Sequence, residues 1–199
     1  KLGGYYVNTG EMYRAVTYFL HRHVSDVSEA LKDSRALVER MDIRYERVSE
    51  DRLELVLNGE SLKDEDLRAP EVTRDVSAVA ADRNVRELLV ARQRELVRLG
   101  LVVLEGRDIG TVVFPDAPYK FFVTASNEVR ARRRLRQKGE TVTEATVQSV
   151  AADIERRDSY DASRDIAPLK VAPDAVTIVT DDLSAEEVAD QIVAYVQSQ

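Results

Sequence analysis

The sequence predicts an α/β fold: a mostly parallel sheet with helices packed on it, carrying one small antiparallel insert. Three observations predict it. Apolar runs of strand length at 101–104, 119–123 and 176–179 alternate with segments whose apolar residues recur at helical spacing. The first run, Val102-Val103-Leu104, ends abruptly in Glu105-Gly106-Arg107-Asp108 and continues as Ile109-Gly110-Thr111-Val112-Val113-Phe114-Pro115. A continuous hydrophobic run reads as a buried parallel strand, and open α/β sheets bind ligands at the carboxyl ends of such strands. The third observation is residues 43–59, which alternate apolar and polar positions as a half-buried antiparallel hairpin does.

The elements follow in order. Tyr5-Tyr6-Val7 predicts a short strand, and Asn8-Thr9-Gly10 caps a helix carrying Met12, Tyr13, Val16 and Phe19. No methionine or lead-in precedes these residues, so a chain lacking its natural beginning is expected. A polar helix is expected near 28–40. Arg44-Tyr45-Glu46-Arg47-Val48 and Leu53-Glu54-Leu55-Val56-Leu57 supply the hairpin strands, and Asn58-Gly59 marks a further reversal. Pro70 suits the first turn of a helix with Val72, Val76 and Val79 on one stripe. A second helix spans about 85–98 and is ended by Gly100. After the strand at 119–123, Thr124-Ala125-Ser126 offers an N-cap, with Glu128 behind it, for a helix over 127–137 that Gly139 stops. Thr143 opens a helix with Val147, Val150, Ala151 and Ile154 on one face, and a polar loop is expected over 158–165. Val176-Thr177-Ile178-Val179 is the last strand. The terminal helix carries Val188, Ile192, Val193 and Val196.

Composition narrows the function classes. With 199 residues, 44% hydrophobic and 33% charged, the chain reads as one folded domain and not as a disordered one. No apolar run approaches the roughly 18 residues of a membrane span, and no secretory pattern opens the chain. The absence of cysteine rules out disulfides, thiolate metal sites and thiol catalysis. His21 and His23 lie in a polar helical stretch and read as surface residues, not metal ligands. A net charge of −7 argues against nucleic-acid binding by bulk attraction. It leaves room for a small anion in a local arginine cluster. The expectation is a cytoplasmic monomer with no membrane or nucleic-acid partner.

The arginines supply that cluster. Arg130, Arg133 and Arg134 fall at i, i+3 and i+4 and share one helix face, where like charges repel unless an anion or an acid lies between them. Arg157 and Arg164 flank Asp161, while Arg14, Arg86 and Arg107 sit at or near element ends. A guanidinium fork matches phosphate oxygens bidentately, which suits a phosphate ligand. Ordinary salt bridges to the 36 acids would account for the same residues.

Four stretches in one order decide between these readings. They are Asn8-Thr9-Gly10-Glu11-Met12-Tyr13-Arg14, then Ser77 with Val85-Arg86, then Gly106-Arg107-Asp108-Ile109-Gly110. The fourth is Arg157-Asp158 followed by Asp161 and by Arg164-Asp165-Ile166-Ala167-Pro168-Leu169. In this order the chain resembles the bacterial cytidylate kinase (CMP kinase) family, within the P-loop nucleoside monophosphate kinases. The likeness runs from about Gly4 to the end and is most specific over 105–117, then over 157–169. It implies a parallel-sheet, three-layer fold of the P-loop kinase type in a single domain over 1–199. The core would be 1–42 and 72–199, with a nucleotide-monophosphate-side insert at about 43–71 and a lid at about 130–165. It implies transfer of the γ-phosphoryl group of ATP to CMP or dCMP, with Mg²⁺ accompanying ATP.

Residue by residue, the resemblance implies that Ser77 and Asp108 bond the cytosine exocyclic amine and that Arg86 faces the ring carbonyl and N3. Arg157 and Asp161 would hold the sugar hydroxyls. Arg14, Arg107 and Arg164 would clamp the acceptor phosphate and the transferring group as the catalytic arginines, with Thr9 nearby and Tyr13 lining the site. Arg130 and Arg133 would meet ATP from the helix entering the lid. Glu105 would hold the water shell of Mg²⁺, with no direct metal ligand in this chain.

Two departures stand out. The motif G-x-x-x-x-G-K-[ST], whose backbone N–H groups cradle ATP phosphates, occurs nowhere in the 199 residues. The resemblance places the first central strand and that loop in a preceding segment of about 20 to 25 residues, the strand-loop-helix unit such a loop requires. Their absence is expected to leave two interior strand edges unpaired and a chain made as written inactive. Asn8 stands where the family usually has Asp, which removes a negative charge near the phosphates. Two rival readings remain: a nucleotide-binding module without catalysis, and a kinase for another small acceptor such as UMP or shikimate.

Overall fold

The computed structural model describes residues 1–50 and 52–199. They form two compact units, one of residues 3–109 and one of residues 110–199 together with Lys1 and Leu2. Strands and helices alternate in both, and the sheets contain parallel pairs.

In the first unit, β1 (Tyr5–Asn8) pairs in parallel with β5 (Val102–Glu105), from Tyr5 against Val102 to Asn8 against Glu105. Helix α1 (Thr9–His23) starts without a linker because Asn8 ends the strand and caps the helix. Its Oδ1 accepts from the Gly10 N–H at 3.0 Å. Met12, Ala15, Val16, Phe19 and Leu20 then fall on one stripe and enter the core.

The single helix expected near 28–40 is broken into α2 (Val27–Ala30), a 3₁₀ turn at Leu31–Asp33 and α3 (Ser34–Val38). Tertiary bonds override the local pattern here. Ser34 Oγ lies 2.9 and 3.0 Å from the two carboxylate oxygens of Asp82 and accepts from Asn84 Nδ2 at 2.9 Å. Asp82 itself caps the helix that follows it.

The insert is as expected in its strands. β2 (Ile43–Arg47), β3 (Leu53–Leu57) and β4 (Glu60–Ser61) form an antiparallel sheet in that order. Asn58 and Gly59 take φ of 51° and 85°, the left-handed pair that a tight β3–β4 reversal needs. The polar turn between β2 and β3 includes Asp51, which lies outside the described residues. Ile43, Leu55 and Leu57 join the apolar core built on α1, so the insert packs within this unit.

Next come α4 (Asp64–Leu67), α5 (Pro70–Val79) and α6 (Arg83–Glu95). Pro70 occupies the first turn of α5, and Val72, Val76 and Val79 are buried. Helix α6 begins before residue 85 because Asp82 Oδ1 accepts from the Val85 N–H at 2.9 Å. It ends early in a 3₁₀ turn, Leu96–Leu99, closed by Gly100 at φ 92°.

In the second unit, β6 (Phe121–Thr124) pairs in parallel with β7 (Val176–Val179). Helix α7 (Asn127–Gln137) is capped by Ser126, and Gly139 at φ 68° ends it. Helix α8 (Glu144–Ala162) packs on α7 through Ala131, Leu135, Val147 and Ile154. The first half of the polar loop expected at 158–165 is therefore helix. Asp158 and Asp161 each meet an arginine, which removes the reason to unwind. Helix α9 (Ala185–Gln197) begins with a capping box between Ser184 and Glu187. No helix among the described residues is long and apolar enough to cross a membrane.

Each parallel sheet has two strands among the described residues: β5 pairs with β1 alone, and β6 with β7 alone. Val103 and Val123, on β5 and β6, are half exposed.

Candidate active site

In-register pairing of β1 and β5 brings their carboxyl ends together. Thr9 fastens them, its hydroxyl donating to the Glu105 carbonyl at 2.8 Å. The next residue, Gly106, has no room for a side chain. A Cβ there would run into the Thr9 hydroxyl and lie 2.8 Å from Ile109 Cδ1.

The most deeply buried charges of this unit are Arg86 and Asp108, 4% and 6% exposed. Arg86 comes from α6 and Asp108 from the turn after β5. Arg86 Nη2 donates to Asp108 Oδ2, and Nη1 donates to the Ala80 carbonyl at 3.2 Å. The guanidinium sits 5.6 Å from the centre of the buried Tyr13 ring. Burying two charges costs several kcal/mol each in desolvation, so such a pair is a poor way to hold a fold together. What it provides is a carboxylate acceptor beside guanidinium donors. Ser77 is half-buried on α5, next in sequence to the buried Val76.

Arg14 is half-buried on α1 and anchored at one end. Its Nη1 donates to the Leu67 carbonyl and to Thr73 Oγ1, each at 3.0 Å. Arg107, also half-buried, lies between Gly106 and Asp108.

An acidic margin borders these cations. The Tyr6 hydroxyl donates to the Glu105 carboxylate, and the Tyr45 hydroxyl donates to the Asn8 carbonyl at 3.1 Å. Burial, and for Tyr6 the Glu105 carboxylate as well, pushes both phenols up, so they remain protonated donors at neutral pH. Burial first, then Asp64, raises Glu11 above its ordinary value of 4.5 against the pull of Arg68. Its neutral form is the one the fold favours, an advantage complete below the unfolded value and lost as pH rises through the folded one. Glu11→Gln should therefore melt higher than the parent at pH 7, with the gap closing as pH falls toward 4.5. Coincident melts at pH 7 would contradict this.

The second unit gathers the other predicted residues at the end of α8. Asp161 is 1% exposed, and Arg164 Nη2 donates to its Oδ1. The Leu169 N–H donates to the Asp161 carbonyl at 2.9 Å, folding 163–169 back on the helix end. Ala167 turns that segment at φ 49°. Arg157 lies one turn before Asp161 on the same helix side. Arg130 donates to Asp158 and to Asn127 Oδ1 at 3.3 Å, which ties α7 to α8.

Arg133 is engaged elsewhere in this unit. It donates to Thr180 Oγ1 at 2.9 Å and to the Leu183 carbonyl at 3.0 Å, holding α7 to the segment after β7.

Sequence reasoning missed several participants. Lys120 is 9% exposed, and its Nζ donates to the Pro115 carbonyl and to Asp174 at 2.6 Å, holding Asp174 below its ordinary value. A lysine inside an apolar strand run was the available signal. Tyr45 was legible as an inward position of an alternating strand. Thr73 carried no local signal, since its partner lies 59 residues away; Asp158 was named only within the 157–169 stretch, and its bond to Arg130, 28 residues back, was not foreseen. Among the described residues no three His, Cys, Asp or Glu side chains come together as a metal set. His21 instead pairs with Asp75 at 3.0 Å, and His23 stacks on Phe19 with ring centres 4.0 Å apart.

Comparison with known proteins adds relatives. A family model described as cytidylate kinase matches residues 1–198. The cytidylate kinase of Clostridium botulinum (strain Langeland) is 42% identical over 192 residues, 96% of this chain and 85% of that protein. The cytidylate kinase of Fervidobacterium nodosum is 42% identical over 198 residues, covering 99% of this chain and 86% of that protein. A bifunctional pantoate ligase/cytidylate kinase of Synechococcus sp. (strain CC9605) is 41% identical over 201 residues, 41% of its length.

Proposed function

The chain belongs to the cytidylate kinase family, and from that premise we propose that it serves transfer of the γ-phosphoryl group of ATP to CMP or dCMP, giving ADP and CDP or dCDP. The observation that carries the choice of base is the buried Arg86–Asp108 pair beside Tyr13. Cytosine offers an amino donor next to a ring nitrogen and a carbonyl that accept. Asp108 and Ser77 take the amine, Arg86 gives to N3 and the carbonyl, and Tyr13 covers the ring. Uracil puts an oxygen where the amine would be. Leaving a buried carboxylate against it costs about 1–3 kcal/mol in discrimination.

The chemistry asks for placement and positive charge. An acceptor phosphate oxygen bonds to the γ-phosphorus as the bond to the β–γ bridging oxygen breaks, and ADP leaves with that electron pair. Arg14 and Arg107 orient the acceptor phosphate, with Thr9 holding the strand ends beside them. For the second unit, Arg164 is assigned to the transferring group, Arg157 and Asp161 to the sugar hydroxyls, and Arg130 and Arg133 to ATP. Guanidinium forks neutralise charge on the equatorial oxygens without supplying a proton. Magnesium would accompany ATP and offset its phosphate charge, and Glu105 is the residue that would hold its water shell. A cytoplasmic monomer acting on nucleotides alone completes the reading.

The motif G-x-x-x-x-G-K-[ST] does not occur in these 199 residues, which favours a second reading, nucleotide binding without catalysis, for a chain of this extent. One preparation tests both. Thermal melts with CMP or dCMP should shift upward, by about 2.7 kcal/mol of stability at a hundredfold excess over Kd, while UMP and AMP leave the midpoint in place. Equal shifts with all four would remove cytosine recognition. ADP release from ATP and CMP by the same chain would remove the non-catalytic reading.

A further inference from the structure

We infer that Thr73 is a positioning residue for acceptor-phosphate recognition, acting through Arg14. The inference rests on the acceptor-site reading above and deepens it. Arg14 Nη1 is held by two acceptors from two different elements, the carbonyl of Leu67, which ends α4, and the hydroxyl of Thr73 on α5, both at 3.0 Å. A guanidinium is planar, so fixing one amino end against two acceptors sets the plane and the direction in which its fork meets a ligand. A long side chain held by one bond would keep more rotamer freedom and lose it only on binding.

The helix pairing makes Thr73 the natural control point. Helices α1 and α5 approach a second time where His21 Nε2 lies 3.0 Å from Asp75 Oδ2. Arg14 and His21 are seven residues apart, two turns along the same face of α1. On α5, Thr73 and Ser77 are four residues apart and share a face. One helix thus carries both the hydroxyl assigned to the base and the hydroxyl that sets the arginine assigned to the phosphate. The spacing between base and phosphate recognition is fixed by a single turn of α5. The Leu67 carbonyl cannot be varied by substitution, whereas Thr73 can.

Calorimetric titration of the full chain with CMP and with cytidine separates the effects, since the nucleoside lacks the phosphate. Thr73→Val keeps the shape and removes the hydroxyl. It should weaken CMP roughly five- to tenfold, the worth of one typical hydrogen bond, and leave cytidine unchanged. Thr73→Ser restores the hydroxyl and should return CMP affinity to that of the parent, which a packing role for the threonine methyl would not do. Equal weakening of CMP and cytidine by Thr73→Val, or failure of Thr73→Ser to rescue, overturns the inference. If the parent prefers CMP to cytidine and Thr73→Val does too, by the same ratio, Thr73 alone falls. If the parent shows no preference for CMP, the phosphate assignment of Arg14 falls and this inference with it.

Discussion

Asp108→Ala is expected to melt far below the parent and to bind CMP no better than UMP. The carboxylate is 6% exposed and meets a guanidinium that is 4% exposed. Removing it leaves Arg86 buried beside Tyr13 with the Ala80 carbonyl as its remaining described acceptor, and breaking such a pair costs about 3–5 kcal/mol. That loss alone would not separate stability from recognition. The double variant Arg86→Met with Asp108→Leu does so. Replacing both charges by apolar residues of similar volume is near neutral or stabilising in other proteins, because the desolvation of both ions disappears with their attraction. The double variant should therefore melt near the parent and show no CMP-induced shift. If it still prefers CMP to UMP, base recognition does not reside in this pair. Asp108→Asn should fall between the two, since the amide oxygen can still accept from Arg86 but the charge is gone.

How much of this was legible in the sequence depends on how local each signal was. Asn8 could be assigned from sequence because a strand end and an N-cap are both local patterns, and the hairpin because alternation and Asn58-Gly59 are too. The family was legible because ordered stretches such as Gly106-Arg107-Asp108-Ile109-Gly110 carry far more information than any one position. The break at 28–40 was not legible. It is caused by Ser34 meeting Asp82 and Asn84 across about fifty residues. The helical extension through Asp158 and Asp161 failed for the related reason that charged residues read as loop until their arginine partners are known. Arg86 and Asp108 were picked out as separate ligand contacts, and their bond to each other is a fact of tertiary structure. Lys120 shows the same limit, because its burial depends on Asp174, 54 residues on.

Asp161→Ala should be the comparable lesion in the second unit, and here two electrostatic effects oppose each other. Asp161 sits in the last turn of α8, where the helix dipole disfavours a carboxylate by about 0.3–1 kcal/mol. Deleting it relieves that. Deletion also strips the carboxylate from Arg164, whose side chain is 7% exposed, at a cost of about 3–5 kcal/mol. The larger effect wins, and the variant should melt well below the parent. Asp161→Asn keeps an acceptor for Arg164 and relieves the dipole, so its loss should be smaller. Backbone exchange distinguishes this from a general softening. The Leu169 N–H is bonded to the Asp161 carbonyl, a main-chain contact that the substitution leaves chemically intact. If the ion pair is what folds 163–169 back on the helix end, Asp161→Ala should speed exchange at Leu169 while amides in the middle of α8 stay protected. Unchanged protection at Leu169 would assign the fold-back to the backbone, with its left-handed turn at Ala167, and not to the ion pair.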